Sequence, residues 1–263
     1  MLDSVQRVMI SVGERRQAEY HCRKKGLLVT VMKRWVLGIL SLTMVAAAAG
    51  DDHVGKDVLE PFNRTMFAFN EALDKAIVKP IAKAYVLVTP DAVELGIANV
   101  FDNLDEVTNA ANSGLQGKGS GMVASAGRFF INSTLGIGGL FDVADSVFHI
   151  QKGAPEDFGQ TLAAWGVGEG PYLMLPLMGP SSLRDAPSKF VDSITNPLKY
   201  VSDIPARNSA RGLGLVALRA DLLGAGDLVT GDRYVFVRDI YHQRQRYLIN
   251  DGMIEDDFGD DDY

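Results

Sequence analysis

The chain has 263 residues, 47% of them hydrophobic and 22% charged, with a formal net charge of −7. That length suits one sizeable domain, and the acidic balance argues against nucleic acid as a partner. The only cysteine is Cys22, so the chain can form no internal disulfide and has no thiolate chemistry after that position.

Residues 1–31 carry Arg7, Arg15, Arg16, Arg23, Lys24 and Lys25 and no sustained helical period. They read as a leader or as a translation start placed too early, with Met32 as initiator; a cytosolic extension is the alternative. Residues 32–49 read as a secretory signal. Lys33 and Arg34 form the positive end, Val36 to Val45 the apolar stretch, and Ala46 to Ala49 the small-residue cleavage site. The apolar run from Trp35 to Ala49 falls short of the roughly 20 residues a spanning helix needs. Cleavage at Ala49 or Gly50 is the expectation, against a retained anchor or a buried helix. Beyond residue 49 there are 18 Lys and Arg against 30 Asp and Glu, a net of −12. Glu255, Asp256, Asp257, Asp260, Asp261 and Asp262 crowd the end, so residues 251–263 are expected to be an acidic disordered tail.

Between these ends the pattern is helical, with no repeat and no shift in composition that would mark a second domain. Phe62, Met66, Phe69, Leu73 and Ile77 recur at spacings of 4, 3, 4 and 4, and Pro61 lies in the first turn. A stripe this rich in phenylalanine suggests a helix built to meet lipid, with Phe62, Met66, Phe69 and Leu73 in contact with the membrane. Pro80 should kink or divide that helix. Lys75, Lys79 and Lys83 lie off the stripe, either to meet anionic headgroups or as an ordinary solvated face. Thr89-Pro90-Asp91 predicts a helix start with Thr89 as N-cap, followed by a face of Val93, Ile97, Val100, Phe101 and Leu104. Gly117 to Gly121 reads as a flexible connection before Met122, Ala126 and Phe129, and Pro155-Glu156-Asp157 as the opening of a further helix. Ser181 or Ser182 should cap a helix ending at Asn196-Pro197. Ala206–Leu223 and Asp232–Asn250 read as the last two helices.

Gly170 to Pro180 departs from this pattern. Its prolines argue for an edge hairpin or a formed loop rather than an interior strand. Tyr172, Leu173, Met174, Leu175, Leu177 and Met178 make it the most apolar loop in the chain. Such a loop is either core filler or a surface for a soft ligand such as an acyl chain.

Little points to catalysis. His21, His53, His149 and His242 have no metal-ligand spacing, and Ser181 and Ser182 are not in a G-x-S-x-G turn. Gly166, Gly168 and Gly170, like Gly136, Gly138 and Gly139, lack dinucleotide-binding spacing, and Gly117-Lys118 is not a phosphate loop. Gly136 to Gly139 read as a tight turn or a close helix contact, or as small residues letting backbones approach at a membrane-embedded bend. No catalytic residue, cofactor or metal is expected.

Three stretches resemble the VacJ/MlaA-type outer-membrane lipid-asymmetry proteins. They are DVLEPFNRTMFAFN (Asp57 to Asn70, with Val58 in place of the usual proline), RFFINSTLGIGGLFDVA (Arg128 to Ala144) and EDFGQTLAAWGVGEGPYLMLPLMGPSSLRD (Glu156 to Asp185). In order, the similarity runs from Asp57 to about Tyr247. The resemblance implies an all-α fold over residues 50–250, a single ring-like helical domain with amphipathic membrane-interfacial helices and one irregular apolar loop or hairpin. It also implies non-enzymatic transport of phospholipid from the outer leaflet of the outer membrane to a periplasmic phospholipid carrier protein, with a trimeric porin as a further partner. On this resemblance the apolar loop faces lipid. One departure stands out. VacJ-type proteins are typically cut before a cysteine that is then acylated, and VAAAAGDD (Val45 to Asp52) contains none. A soluble periplasmic lipid-binding shuttle is the alternative reading.

Overall fold

Residues 57–224 and 231–253 are described by the computed structural model. The leader, the secretory signal and Glu255 to Asp262 of the acidic tail lie outside the described residues. Helix α1 (Glu60–Leu73) opens with Pro61 in its first turn and Glu60 at the positive end of its dipole. The helical path does not break at Pro80. A widened π-turn over Asp74–Val78 follows, in which the Lys79 N–H bonds to the Asp74 carbonyl five residues back, and α2 (Lys79–Val88) then continues. Proline has no N–H for the carbonyl four residues behind it and its ring crowds that group, so widening the ladder relieves both problems.

Helix α3 (Asp91–Leu115) starts one position later than expected. Pro90, not Thr89, is its N-cap, and the Pro90 carbonyl accepts from the Val93 and Glu94 N–H groups. Thr89 is extended, as the residue before a proline tends to be. The α3 C-terminus closes tightly. Gly117 takes a left-handed φ of 79°, its N–H bonds to Gly114 O at 3.1 Å, and the Lys118 N–H bonds to Ser113 O at 2.8 Å. Helix α4 (Gly119–Thr134) begins at once and packs back along α3, so the expected flexible connection is a formed cap.

The turn after α4 leaves no room for side chains at two positions. A Cβ at Gly136 would lie 2.2 Å from Phe141 O, and one at Gly139, whose φ is 92°, would lie 2.8 Å from Asn103. The short α5 (Val143–Ser146) and α6 (Phe158–Ala164) are capped by Asp142 and Asp157. Strands β1 (Tyr172–Leu175) and β2 (Gly179–Ser182) form an antiparallel hairpin with Tyr172 opposite Ser182 and Leu175 opposite Gly179. Then come α7 (Asp185–Thr195), a 3₁₀ turn (Pro197–Tyr200), α8 (Ile204–Asp221) and α9 (Arg233–Ile249), the last two capped by Asp203 and Asp232. Helix α1 packs on β1, and α2 packs on α8. The fold is all-α with one apolar hairpin. Among the described residues no helix is long and apolar enough to cross a membrane.

The interior is inverted. Among the described residues seventeen polar or charged residues are buried against seven hydrophobic ones. The buried side chains of α3 are Asn103, Glu106, Asn109, Asn112 and Ser113, while Val93, Leu95 and Leu115 of the same helix are exposed. Helix α4 buries Ser125, Arg128 and Asn132 and exposes Met122, Val123 and Phe130. Arg128 ties this interior together. Its Nε donates to Glu106 at 2.6 Å, its Nη2 to Asp142 at 2.8 Å and its Nη1 to the Ile150 carbonyl at 2.5 Å. Asn132 bridges Asp142 and the Ala144 N–H, and Asn112 bridges Asp192 and Thr161. Polar groups buried without partners would be costly, and this connectivity removes most of that cost.

Candidate functional site

Two asparagines on one face of α1 hold the apolar hairpin. Asn63 Nδ2 donates to the Tyr172 carbonyl at 3.0 Å, and its Oδ1 accepts from the Met174 N–H at 2.8 Å. Seven residues on, Asn70 Nδ2 donates to the Leu175 carbonyl at 2.8 Å, and its Oδ1 accepts from the Leu177 N–H at 2.8 Å. Each side-chain amide presents a donor and an acceptor, as a neighbouring strand would, and so satisfies the free edge of β1. This role was not anticipated from sequence. The pointer was there: two asparagines two turns apart in a helix otherwise dominated by phenylalanine.

The hairpin sorts the predicted lipid-facing residues by strand period. Tyr172 and Met174 point into the body, where they pack with Tyr234, Tyr241, Met66 and Phe67. The rings of Tyr234 and Tyr241 meet Tyr172 edge-on at 6.2 and 5.6 Å, and burial pushes the Tyr172 and Tyr241 hydroxyls well above the usual phenol range. Leu173 and Leu175 are half-buried, and Leu177 and Met178 at the tip are exposed. Leu177 is 71% exposed and sits at a φ of 66°, a left-handed conformation that favours glycine. Of the α1 stripe, Phe62 and Phe69 are 48% and 49% exposed, whereas Met66 and Leu73 are half-buried.

The tip and β2 of the hairpin border a cavity of about 320 Å³. Met178 and Pro180 line one part; Asp185, Lys189 and Asp192 of α7 and Tyr241, Arg244 and Gln245 of α9 line much of the rest. Tyr241 donates to Asp185 at 2.5 Å, and the same carboxylate accepts from Arg184 at 2.7 Å. Asp192 accepts from Asn112 at 3.0 Å and from the Phe158 N–H at the start of α6 at 3.0 Å, yet burial pushes its carboxyl up to about 6. Burial likewise holds the Lys189 ammonium below the usual lysine range. The exposed apolar side chains of Met178 and Ile240 therefore stand on a small cavity that carries both signs of charge, an arrangement that can meet apolar and charged groups side by side.

The other sequence candidates fall outside this constellation. Ser181 and Ser182 are fully buried, and the Ser182 hydroxyl accepts from the Asp185 N–H at 3.1 Å. His242 lies 3.1 Å from Glu169 and packs against Tyr172 and Tyr241. Of the lysines off the α1 stripe, Lys75 pairs with Glu71 at 3.2 Å.

The model of the family described as "MlaA lipoprotein" matches residues 55–248. The intermembrane phospholipid transport system lipoprotein MlaA of Escherichia coli (strain K12) is 36% identical over 220 residues, covering 82% of this chain and 87% of its own length. The Haemophilus influenzae protein of the same name is 30% identical over 202 residues, covering 75% and 81%. An uncharacterised Rickettsia bellii protein is 38% identical over 194 residues, covering 71% and 74%. A structure solved in work on the structural basis for maintenance of bacterial outer membrane lipid asymmetry superposes with a TM-score of 0.67 at 36% identity, covering 74% of this chain and all of that one. A family model matched over residues 55–248 and relatives 30–38% identical over most of their length and of this chain show that the protein belongs to the MlaA family.

Proposed function

We propose that this protein moves phospholipid at the outer membrane without chemical conversion, as part of an intermembrane transport system that maintains lipid asymmetry. It lies in the inner leaflet on the periplasmic side, takes phospholipid that has strayed into the outer leaflet, and passes it to a periplasmic carrier protein. A trimeric porin is its neighbour in the membrane, and a ring-like closure of the helices gives the lipid its path. One observation carries the reading: α3 and α4 expose apolar side chains and bury asparagine, glutamate and arginine. In water that distribution is unfavourable on both counts; in lipid the outer faces are solvated and the polar groups find their partners inside.

The chemistry of transport fits the cavity. Exposing an acyl chain to water costs roughly 0.8 kcal/mol per CH₂, so tails need an apolar route while the headgroup needs a polar one. Met178 and Leu177 at the hairpin tip offer the first, and Lys189, Arg244 and the carboxylates the second. Membrane attachment then rests on exposed apolar faces, including Phe62 and Phe69, or on an uncleaved signal, since no cysteine is available for acylation at VAAAAGDD.

A photo-crosslinking amino acid at Met178 tests the reading in cells. Phospholipid should be captured there and not from the same group at Asp260 in the acidic tail. Equal capture at both positions would return the hairpin to packing alone.

A further inference from the structure

Several polar groups around the cavity lack the partners their chemistry calls for. Among the described residues Lys189 Nζ reaches only the carbonyls of Pro180 at 3.2 Å and Met178 at 3.4 Å. Among the described residues neither Lys189 nor Arg244 makes an ion pair, although both line the same space as three carboxylates. Gln245 is 6% exposed and lines the cavity, and among the described residues its Oε1 has no hydrogen-bond partner. A buried acceptor left open in a cavity is a place where a ligand's donor can bind.

The carboxylates are unequal. Asp185 is engaged by Arg184 and Tyr241. Asp157 uses Oδ1 to cap α6 through the Gln160 N–H, and among the described residues its Oδ2 accepts nothing. Among the described residues Asp192 alone lines both this cavity and a second, of about 270 Å³, beside Asn109 and Glu156. The space therefore has room for an anion at Lys189 and Arg244 and a cation at Asp157 and Asp192. Its volume lies at the small end of the roughly 300–1,000 Å³ of ligand pockets, which fits a headgroup and not acyl tails.

We propose that this cavity is a headgroup subsite selecting zwitterionic, amine-bearing phospholipids, with the phosphate on Lys189 and Arg244 and the ammonium on Asp157, Asp192 and Gln245 Oε1. This rests on the phospholipid-transport reading and adds the lipid class. An anionic lipid with a glycerol headgroup satisfies the two cations but leaves two partly desolvated carboxylates facing a neutral diol, so discrimination comes from what the wrong lipid leaves unpaired.

The test presents purified full-length protein with vesicles of equal phosphatidylethanolamine and phosphatidylglycerol, then measures retained lipid by mass spectrometry after repurification. The wild type should enrich phosphatidylethanolamine about threefold, the weight of one partly exposed ion pair. Asp192→Asn and Asp157→Asn should each bring the ratio towards one; asparagine still accepts from the Phe158 N–H in the first and still caps α6 in the second. Lys189→Gln should lower retention of both lipids. Equal retention by the wild type, or a preference surviving both asparagine variants, overturns the selectivity and leaves transport standing. Retention of no phospholipid at all overturns the transport reading itself. A third arm uses free phosphoethanolamine, whose binding as tight as the lipid's would reassign the cavity to a water-soluble ligand and overturn the proposal.

Discussion

Asn63 and Asn70 are seven residues apart on α1, and each holds the hairpin by one donated and one accepted hydrogen bond. The two are not equal, because Asn63 is fully buried and Asn70 is half-buried. Asn63→Ala strands the Met174 N–H and the Tyr172 carbonyl away from water and should cost roughly 2–4 kcal/mol. Asn70→Ala should cost about 1 kcal/mol and instead free the tip. Urea unfolding measures the first, and faster amide exchange at Leu177 with a nearly unchanged melting point measures the second.

Leu177 offers a test that sets stability against the proposed role in the lipid path. A side chain at its φ of 66° costs about 1–2 kcal/mol, part of which glycine would give back through its larger unfolded-state entropy. Leu177→Gly should therefore stabilise the protein by about 0.5–1 kcal/mol while weakening outer-membrane barrier function. A variant that melts higher with an intact barrier would remove the tip leucine from the lipid path.

Phe69 and Met66 test membrane contact together. Phe69→Asp places a charge on a half-exposed face and should move protein from membrane to soluble fractions with helical content unchanged. Met66→Asp places it against the tyrosine cluster and should unfold the protein. If Phe69→Asp protein stays on membranes, the exposed phenylalanine does not anchor it.

Arg128→Met leaves Glu106, 1% exposed, as an unpaired buried carboxylate. A loss of roughly 3–5 kcal/mol is expected, and the double variant with Glu106→Leu should recover part of it. A double variant no more stable than Arg128→Met would mean that the lost contacts to Asp142 and Ile150 dominate.

Asp192 gives a pH signature. Its carboxyl is raised from 3.8 to about 6, chiefly by burial, so the folded state binds the proton more tightly than the unfolded chain. The Asp192 contribution to stability should therefore fall as pH rises from about 4 to about 6 and level off above that. Asp192→Asn removes this slope, and the difference between the two proteins in unfolding free energy against pH isolates it from Asp142, whose lowered carboxyl acts in the opposite direction.

Helix positions were legible because proline, aspartate and glycine mark the ends: Pro61, Asp157, Asn196-Pro197 and Gly117 each lie within a residue or two of a boundary. Periodicity also separated the faces of α3. What it could not supply was which face is inside. The Val93–Leu104 stripe has the same 3.6-residue period whether it meets a core or a bilayer, and here the asparagine face is buried. The π-turn before Pro80 was equally hidden, since a proline can be met by a kink, a break or one widened turn. Asn63 and Asn70 escaped notice because polar residues within an amphipathic helix are ordinarily assigned to water. In the hairpin, the buried alternation of Tyr172 and Met174 appears only once the edge partner on α1 is known.

The interior that Arg128, Asn132, Asn112 and Glu106 build is directional in a way an oily core is not. Aliphatic side chains can exchange places and refill a volume, whereas an amide that must donate to one carboxylate and accept from one N–H has few substitutes. Tolerance to substitution should consequently run opposite to that of a water-soluble protein. On the outside, Val123, Phe130 or Leu95 can become almost any apolar residue. On the inside, even an asparagine-to-aspartate change, one atom for another, finds no place.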